Sequence, residues 1–107
     1  MSSIIKVTDT EFGTEVEQAT TPVLAYFWAS WCGPCRLVSP YIDWAASEYG
    51  DRLKVLKLEV DPNPKSVKKC GVEGVPAIRI FKDGAIVESF EGAITKQALA
   101  TLIDAHL

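Results

Sequence analysis

Two cysteines separated by two residues stand in the segment LAYFWASWCGPCR, residues 24–36. An apolar run of strand length precedes them, and a helical periodicity begins directly after Cys32. Unpaired N–H groups and the positive end of the helix dipole therefore lie near the Cys32 sulfur and favour its thiolate, the form that attacks disulfides. Cys35 follows one helical turn later, so the two sulfurs can close and reopen a small disulfide ring. Pro34 suits this first turn, where its missing N–H would be unpaired in any case.

The pattern predicts dithiol–disulfide exchange with a second protein. Cys32 attacks a disulfide of the partner and forms a mixed disulfide with it. Cys35 then attacks the Cys32 sulfur and releases the partner in its reduced form. The chain ends oxidised, so a reductase must return it to the dithiol.

A structural disulfide and a zinc site are the alternative interpretations of the pair. A ring this small constrains little of the unfolded chain and adds little stability. Structural zinc usually takes four ligands, but the sequence has no second C-x-x-C, and only Cys70 and His106 remain as soft candidates. Redox chemistry is favoured, and we expect neither a metal nor an organic cofactor.

The composition argues against several other classes of function. A length of 107 residues suits one domain, residues 1–107, with a single core. A formal net charge of -3 argues against a nucleic-acid partner, because no basic excess is present to neutralise phosphates. No apolar run approaches the roughly 18 residues of a membrane span, so no membrane is expected. The N-terminus lacks the features of a secretory signal, which predicts a cytoplasmic protein whose thiols are kept reduced.

The elements that must position the cysteines alternate between strands and helices. The order predicts an α/β fold with parallel strands joined by right-handed crossovers, an antiparallel hairpin at one edge, and helices on both faces of a mixed, twisted sheet. In open sheets of this kind, chemistry collects at the carboxyl ends of central strands, and WCGPC follows the second strand. The strands are predicted at 4–8, 22–29, 52–60, 75–81 and 85–90, and the two longest helices at 33–49 and 94–107.

Local signals mark the ends of these elements. Thr8 with Glu11 predicts a capping box at the first helix, and Asn63 and Thr95 are the expected caps of two later helices. Asp83-Gly84 is the central dipeptide of a two-residue hairpin. The apolar positions predicted to share the buried face of the helix after Cys32 are Cys35, Val38, Ile42, Ala45, Ala46 and Tyr49.

Four segments, FWASWCGPC, GVEGVP, FKDG and EGAIT, resemble the thioredoxin family in order and spacing along nearly the whole chain. The resemblance implies a central mixed five-stranded twisted sheet flanked by four helices on both faces. It implies a protein-disulfide reductase with Cys32 as nucleophile and Cys35 as resolving thiol. It also implies a monomer that needs no cofactor, receives electrons from a thioredoxin reductase of the flavin–NADPH or ferredoxin-linked type, and passes them to disulfide-containing target proteins.

The resemblance further implies a substrate-docking face around Cys32. In the family, the peptide bond before the proline matching Pro76 is cis, and the backbone of the residue matching Val75 pairs with an extended substrate strand. Plain turn geometry is an equally good interpretation of Gly74 and Gly92. The residues that the resemblance assigns to this flat, mostly apolar face are Trp31, Gly33, Pro34, Val60, Gly74, Val75, Pro76 and Gly92.

Tyr26 departs from the family pattern. Many members carry an aspartate at this position, which is thought to act with the lysine matching Lys57 as proton acceptor for the second cysteine. A tyrosine has an ordinary pKa of about 10 and cannot take that role at neutral pH, so we expect a core residue with a hydrogen-bonded hydroxyl. The Cys35 proton then passes to water, to Asp61 or to Glu59. Lys57 either reaches solvent or pairs with Glu59.

Trp28, His106 and Cys70 lie outside the motifs described above, and two other functions are compatible with the same sequence. Trp28 is expected in the core near the pair, and His106 is expected to have no catalytic role. Cys70 is either an inert small residue or a surface thiol near the docking face. An oxidase or isomerase of an oxidising compartment, and a binding subunit that uses the docking face without turnover, are the alternative functions.

Overall fold

Five β-strands and four α-helices lie along residues 4–107, the part of the chain that this computed structural model describes, and they alternate except at the last two strands, which form a hairpin. A short 3₁₀ turn at Gly50–Arg52 joins the second helix to the third strand. The predicted sequence of elements is therefore confirmed. The strands are β1 Ile4–Lys6, β2 Val23–Trp28, β3 Lys54–Glu59, β4 Ala77–Lys82 and β5 Ala85–Glu91, and the helices are α1 Asp9–Glu17, α2 Gly33–Tyr49, α3 Pro64–Lys69 and α4 Lys96–Asp104.

The strands form one mixed sheet in the order β1-β3-β2-β4-β5. β1 and β2 both run parallel to β3, whereas β4 is antiparallel to β2 and to β5. The expected parallel core with an antiparallel hairpin at its edge is confirmed. β2 is the central strand, and the cysteine pair follows its carboxyl end, where this topology favours a functional site.

The two faces of β2 belong to two separate hydrophobic clusters. Leu24 and Tyr26 pack on one face against the buried sides of α2 and α4. Val23, Ala25 and Phe27 pack on the other face with apolar residues of α1 and α3. This alternation explains why the whole of β2 is apolar, because a central strand covered on both faces has no solvent side.

Several predicted caps and turns are present. Thr8 and Glu11 form the complete capping box of α1, and the Thr95 hydroxyl accepts from the Ala98 N–H at the start of α4. Asp83 and Gly84 have φ values of 53° and 81°, as a hairpin turn with two left-handed residues requires. Within the described residues, no helix has the length and apolar character that crossing a membrane requires.

The prediction that Asn63 is the N-cap residue of α3 is confirmed, but its side chain makes no capping hydrogen bond. Asn63 occupies the N-cap position, but its Oδ1 accepts from the Asp9 N–H at 2.8 Å and its Nδ2 donates to the Glu59 carbonyl at 2.8 Å. The Asp9 carboxylate takes the capping role and accepts from the N–H groups of Lys65 at 3.1 Å and Ser66 at 2.8 Å. The cap of α3 is thus supplied by α1, and it ties the two helices together on one face of the sheet.

Candidate functional site

The two cysteines lie at the start of α2. Cys32 is the N-cap residue and Cys35 lies in the first turn, and a disulfide joins them. The Cys35 N–H donates to the Cys32 sulfur at 3.2 Å. The nucleophile candidate therefore lies at a helix N-terminus, as the sequence predicted, with a backbone donor directed at its sulfur.

Apolar side chains from two distant segments surround the disulfide. Ala29 packs against both cysteines, and Trp28, Val60 and Val75 pack around them. Val75 belongs to the loop between α3 and β4, and its peptide bond to Pro76 is cis, as the resemblance implied. The fold therefore brings the GVEGVP segment next to the pair, although more than thirty residues separate them in the sequence.

The docking residues differ in how far they reach the surface. Trp31 is 66% exposed, and Gly33, Pro34 and Gly74 are also exposed, whereas Val60, Val75 and Gly92 are half-buried. Pro76 is buried and directly precedes the first residue of β4.

Trp31 is fixed by a hydrogen bond although most of its ring faces solvent. Its indole Nε1 donates to Asp61 Oδ2 at 2.8 Å. An aromatic ring held in one orientation offers contact area without a further loss of side-chain entropy on binding. Because the Asp61 carboxylate is engaged by this contact, it is a weaker candidate for the Cys35 proton acceptor than the sequence suggested.

The backbone of Val75 has no partner within residues 4–107. None of the hydrogen bonds of this part of the chain uses its N–H or its carbonyl. The carbonyl of the next residue, Pro76, accepts from the Gly92 N–H at 2.8 Å. The loop is thus anchored on one side of Val75, while Val75 itself retains a free donor and a free acceptor.

Gly74 and Gly92, for which docking and turn geometry were equally good interpretations, are expected to respond differently to substitution by alanine. Gly92 has a φ of 111°, which L-residues rarely adopt, whereas the φ of Gly74 lies outside this region and a Cβ built there would meet Glu91 Oε1 at 3.8 Å. Gly92→Ala should therefore lower the free energy of unfolding by about 1–2 kcal/mol. Gly74→Ala should change it by less than about 0.5 kcal/mol. Urea unfolding followed by circular dichroism measures both, and equal losses would contradict the assignment of turn geometry to Gly92 alone.

Tyr26 lies directly beneath the pair and is fully buried. Its hydroxyl donates to the Cys35 carbonyl at 3.1 Å and shares a 2.9 Å hydrogen bond with the Ser39 hydroxyl. Burial raises the pKa of Tyr26 above its ordinary value. The phenol is therefore neutral at physiological pH, and the prediction of a core tyrosine with a hydrogen-bonded hydroxyl is confirmed.

Lys57 takes a position that the sequence did not suggest. Its Nζ lies 4.9 Å from the centroid of the Trp28 indole, which is a cation–π contact. The ion pairs among residues 4–107 do not include a Lys57–Glu59 pair, so that interpretation is wrong. Trp28 is half-buried beside the cysteines, so Lys57 is held near the pair through this ring.

A shallow cavity of about 330 Å³ opens beside Cys35 and contains a carboxylate that the sequence analysis missed. Ser39, Asp43 and Lys57 are among the residues that line it. Cys35, Ser39 and Asp43 follow one another at intervals of four on α2 and so share one helix face. That spacing is the sequence signal that could have identified Asp43.

Cys70 and His106 take no part in this site. Cys70 is a buried free cysteine, and burial raises the pKa of its thiol, so the interpretation as a surface thiol is wrong. His106 lies beyond the end of α4, with its Nε2 2.9 Å from Glu88 Oε2. Within residues 4–107, no group of three or more His, Cys, Asp or Glu side chains could hold a metal ion.

Comparisons with known proteins point to one family. The sequence model of the thioredoxin family matches residues 3–105, which include both the cysteine pair and the loop before Pro76. A thioredoxin-like protein of Synechocystis sp. is 57% identical over 105 residues, which cover 98% of this chain and 96% of the relative. Thioredoxin 1 of Synechococcus elongatus is 45% identical over 107 residues and all of both chains. The thioredoxin of Bacillus subtilis is 41% identical over 105 residues, 98% of this chain and 99% of the relative.

Proposed function

This chain belongs to the thioredoxin family, and from that premise we propose which of its residues carry out disulfide exchange and how targets dock. It is a thiol–disulfide oxidoreductase with protein-disulfide reductase function, and its general partners are a reductase and disulfide-containing target proteins. We assign the nucleophile to Cys32 and the resolving thiol to Cys35. The observation that carries this assignment is the N-cap position of Cys32, whose sulfur accepts the Cys35 N–H.

The exchange transfers two electrons in two steps. The Cys32 thiolate attacks one sulfur of the target disulfide, whose S–S bond breaks, and the departing target thiolate takes a proton from water. The Cys35 thiolate then attacks the Cys32 sulfur, the bond between Cys32 and the target breaks, and the second target thiolate leaves and takes a proton from water. The target is reduced to the dithiol, and the chain is left with its Cys32–Cys35 disulfide.

Targets dock as an extended strand beside the cysteines. The free N–H and carbonyl of Val75 pair with the backbone of the target, which is β-augmentation at a loop. Trp31, Gly33 and Pro34 offer an exposed surface on the other side of Cys32. Recognition through backbone hydrogen bonds and apolar contact depends little on the target's side chains, which suits a general reductase.

The proton of Cys35 leaves through the cavity that Asp43 and Lys57 line. Tyr26 cannot accept it, because the buried phenol is neutral and already donates to the Cys35 carbonyl. We assign to Lys57 the role of favouring the Cys35 thiolate through its positive charge, since a nearby cation stabilises an anion. Water in the cavity takes the proton, with Asp43 as the neighbouring base.

The domain organisation, oligomeric state, location and electron donor that we propose for this chain are those that membership of the family implies. The chain acts as a single domain over residues 1–107, as a monomer, in the cytoplasm and without a cofactor of its own. Its electrons come from a thioredoxin reductase of the flavin–NADPH or ferredoxin-linked type. Incubating the oxidised chain with each reductase and measuring thiol formation distinguishes the two.

Alkylation of the reduced protein tests the assignment of the nucleophile. At about pH 6, iodoacetamide should modify Cys32 first and Cys70 last, because a helix N-terminus favours the thiolate whereas burial raises the pKa of the Cys70 thiol. Mass spectrometry of the labelled peptides measures both rates. The Cys70→Ser variant should keep the fast phase unchanged. Reaction of Cys32 no faster than free cysteine would contradict the assignment.

A further inference from the structure

Arg79 is a buried charged residue that the exchange reaction does not use. It lies in β4 and is only 4% exposed. Its Nε donates to the Cys70 carbonyl at 2.9 Å and its Nη1 to the Ile78 carbonyl at 3.0 Å. Its Nη2 donates to the Gly71 carbonyl at 3.0 Å and to Glu91 Oε2 at 2.6 Å. A buried guanidinium is tolerated only when its donors are satisfied, and here two of the acceptors lie at the start of the loop between α3 and β4.

Glu91 holds the middle of the same loop. It is the last residue of β5, and its Oε1 accepts from the Gly74 N–H at 3.0 Å. Its Oε2 accepts from the Glu73 N–H at 3.3 Å as well as from Arg79. One ion pair therefore binds loop carbonyls through its cation and loop amides through its anion. The next residue along the strand, Gly92, donates to the Pro76 carbonyl at 2.8 Å.

We propose that Arg79 and Glu91 are positioning residues that hold the loop 70–76 so that the free backbone groups of Val75 face an incoming target strand. This inference rests on the docking role of Val75 under the proposed function. The bonds of Glu91 fix the two residues before Val75, and the bond of Gly92 fixes the residue after it. A loop ordered before binding loses less conformational entropy when the target docks, so its affinity for targets is higher.

The charge of Glu91 is maintained at neutral pH. The hydrogen bond from Arg79, together with the loop amides, lowers the pKa of the Glu91 carboxyl against an opposing effect of partial burial. A group whose pKa is lowered by folding contributes stability above its ordinary pKa and loses it as the pH falls through the folded value. The ion pair is therefore complete throughout the physiological range.

Substitutions at Glu91 test this role, because its side chain is 32% exposed and Arg79 keeps three backbone carbonyls as acceptors when the carboxylate is removed. Glu91→Ala removes every bond to the loop amides and should raise KM for a disulfide-bonded protein about tenfold, with kcat nearly unchanged. Glu91→Gln retains an amide oxygen for the Gly74 N–H but loses the charge that pairs with Arg79, so its KM should lie between those of wild type and Glu91→Ala. Amide exchange at Glu73 and Gly74 should accelerate in the same order.

Controls separate loop positioning from a general loss of stability or of chemistry. Glu88→Gln removes another carboxylate of β5, the one that pairs with His106, and should leave KM unchanged. Reduction of a small disulfide, which offers no strand to Val75, should proceed at the wild-type rate in the Glu91 variants. An unchanged KM in Glu91→Ala and Glu91→Gln, or equal losses on protein and small disulfides, would overturn the inference. A wild-type chain that fails to reduce protein disulfides would instead contradict the proposed function.

Discussion

Replacing Cys35 with serine is expected to convert the protein from a reductase into a trap for its targets. Cys32 keeps its position at the start of α2 and still forms the mixed disulfide. A serine hydroxyl cannot attack the Cys32 sulfur, so the second step stops and turnover falls by about 10³-fold or more. Non-reducing electrophoresis of the variant mixed with cell extract, followed by mass spectrometry, measures the trapped species and identifies the targets.

Matched variants make this result specific. Cys32→Ser should abolish both turnover and trapping, whereas Cys70→Ser should retain wild-type turnover because that thiol is buried. Trapped targets linked through Cys70, or none at all with Cys35→Ser, would contradict the assigned roles. Full biological activity of a Cys32→Ser, Cys35→Ser double variant would favour a binding subunit without turnover.

The exposed surface of the two cysteines does not by itself distinguish nucleophile from resolving thiol. Cys32 is 4% exposed and Cys35 is 3% exposed. Their positions in α2 differ: Cys32 is the N-cap residue and its sulfur accepts the Cys35 N–H, whereas Cys35 lies on the buried face of the first turn. The helix N-terminus therefore favours the thiolate of Cys32, and this position, rather than exposure, assigns the role of nucleophile to it.

Features that depend on neighbours in the sequence were predictable. The run of apolar residues in β2, the helical spacing from Cys35 to Tyr49 and the Asp83-Gly84 turn each record a local preference, and the structure confirms all three. β3 begins at Lys54, two residues later than predicted, because the 3₁₀ turn Gly50–Arg52 occupies the start of that segment. Local patterns predict which elements exist, but they leave the ends of the elements to the connecting turns.

Specific side-chain pairs between distant segments were not predictable from local patterns in the sequence. The Asp9 carboxylate, not the Asn63 side chain, bonds the first amides of α3, and Lys57 lies over Trp28 rather than forming an ion pair with Glu59. An arginine inside the apolar run AIRIF was a visible sign of a buried charge, but nothing local indicated that Glu91 would be its partner. Such pairs form only after the sheet has brought two elements together, so periodicity and capping rules do not encode them.

Tyr26→Asp is expected to lower the free energy of unfolding by about 3–5 kcal/mol at neutral pH. The substitution removes a fully buried ring from the cluster that α2 and α4 share with the sheet. It also introduces a carboxylate into an apolar site, where Lys57 on the neighbouring strand offsets only part of the desolvation penalty. Urea unfolding of the oxidised protein at several pH values measures the loss.

The pH dependence of the free energy of unfolding separates the loss of the ring from the introduction of the carboxylate, because only the carboxylate titrates. Burial raises the pKa of the introduced acid, so the folded state favours its neutral form, and the destabilisation grows as the pH rises from about 4 towards the raised pKa. Tyr26→Asn loses the same ring without a charge and should show a loss that does not vary with pH. Tyr26→Phe removes only the hydroxyl bonded to Cys35 and Ser39 and should lose about 1 kcal/mol. If the aspartate variant were as stable as wild type, the buried tyrosine would not be the stabilising choice at this position. If it were no less stable than Tyr26→Asn at pH 7, the introduced carboxylate would carry no desolvation penalty there.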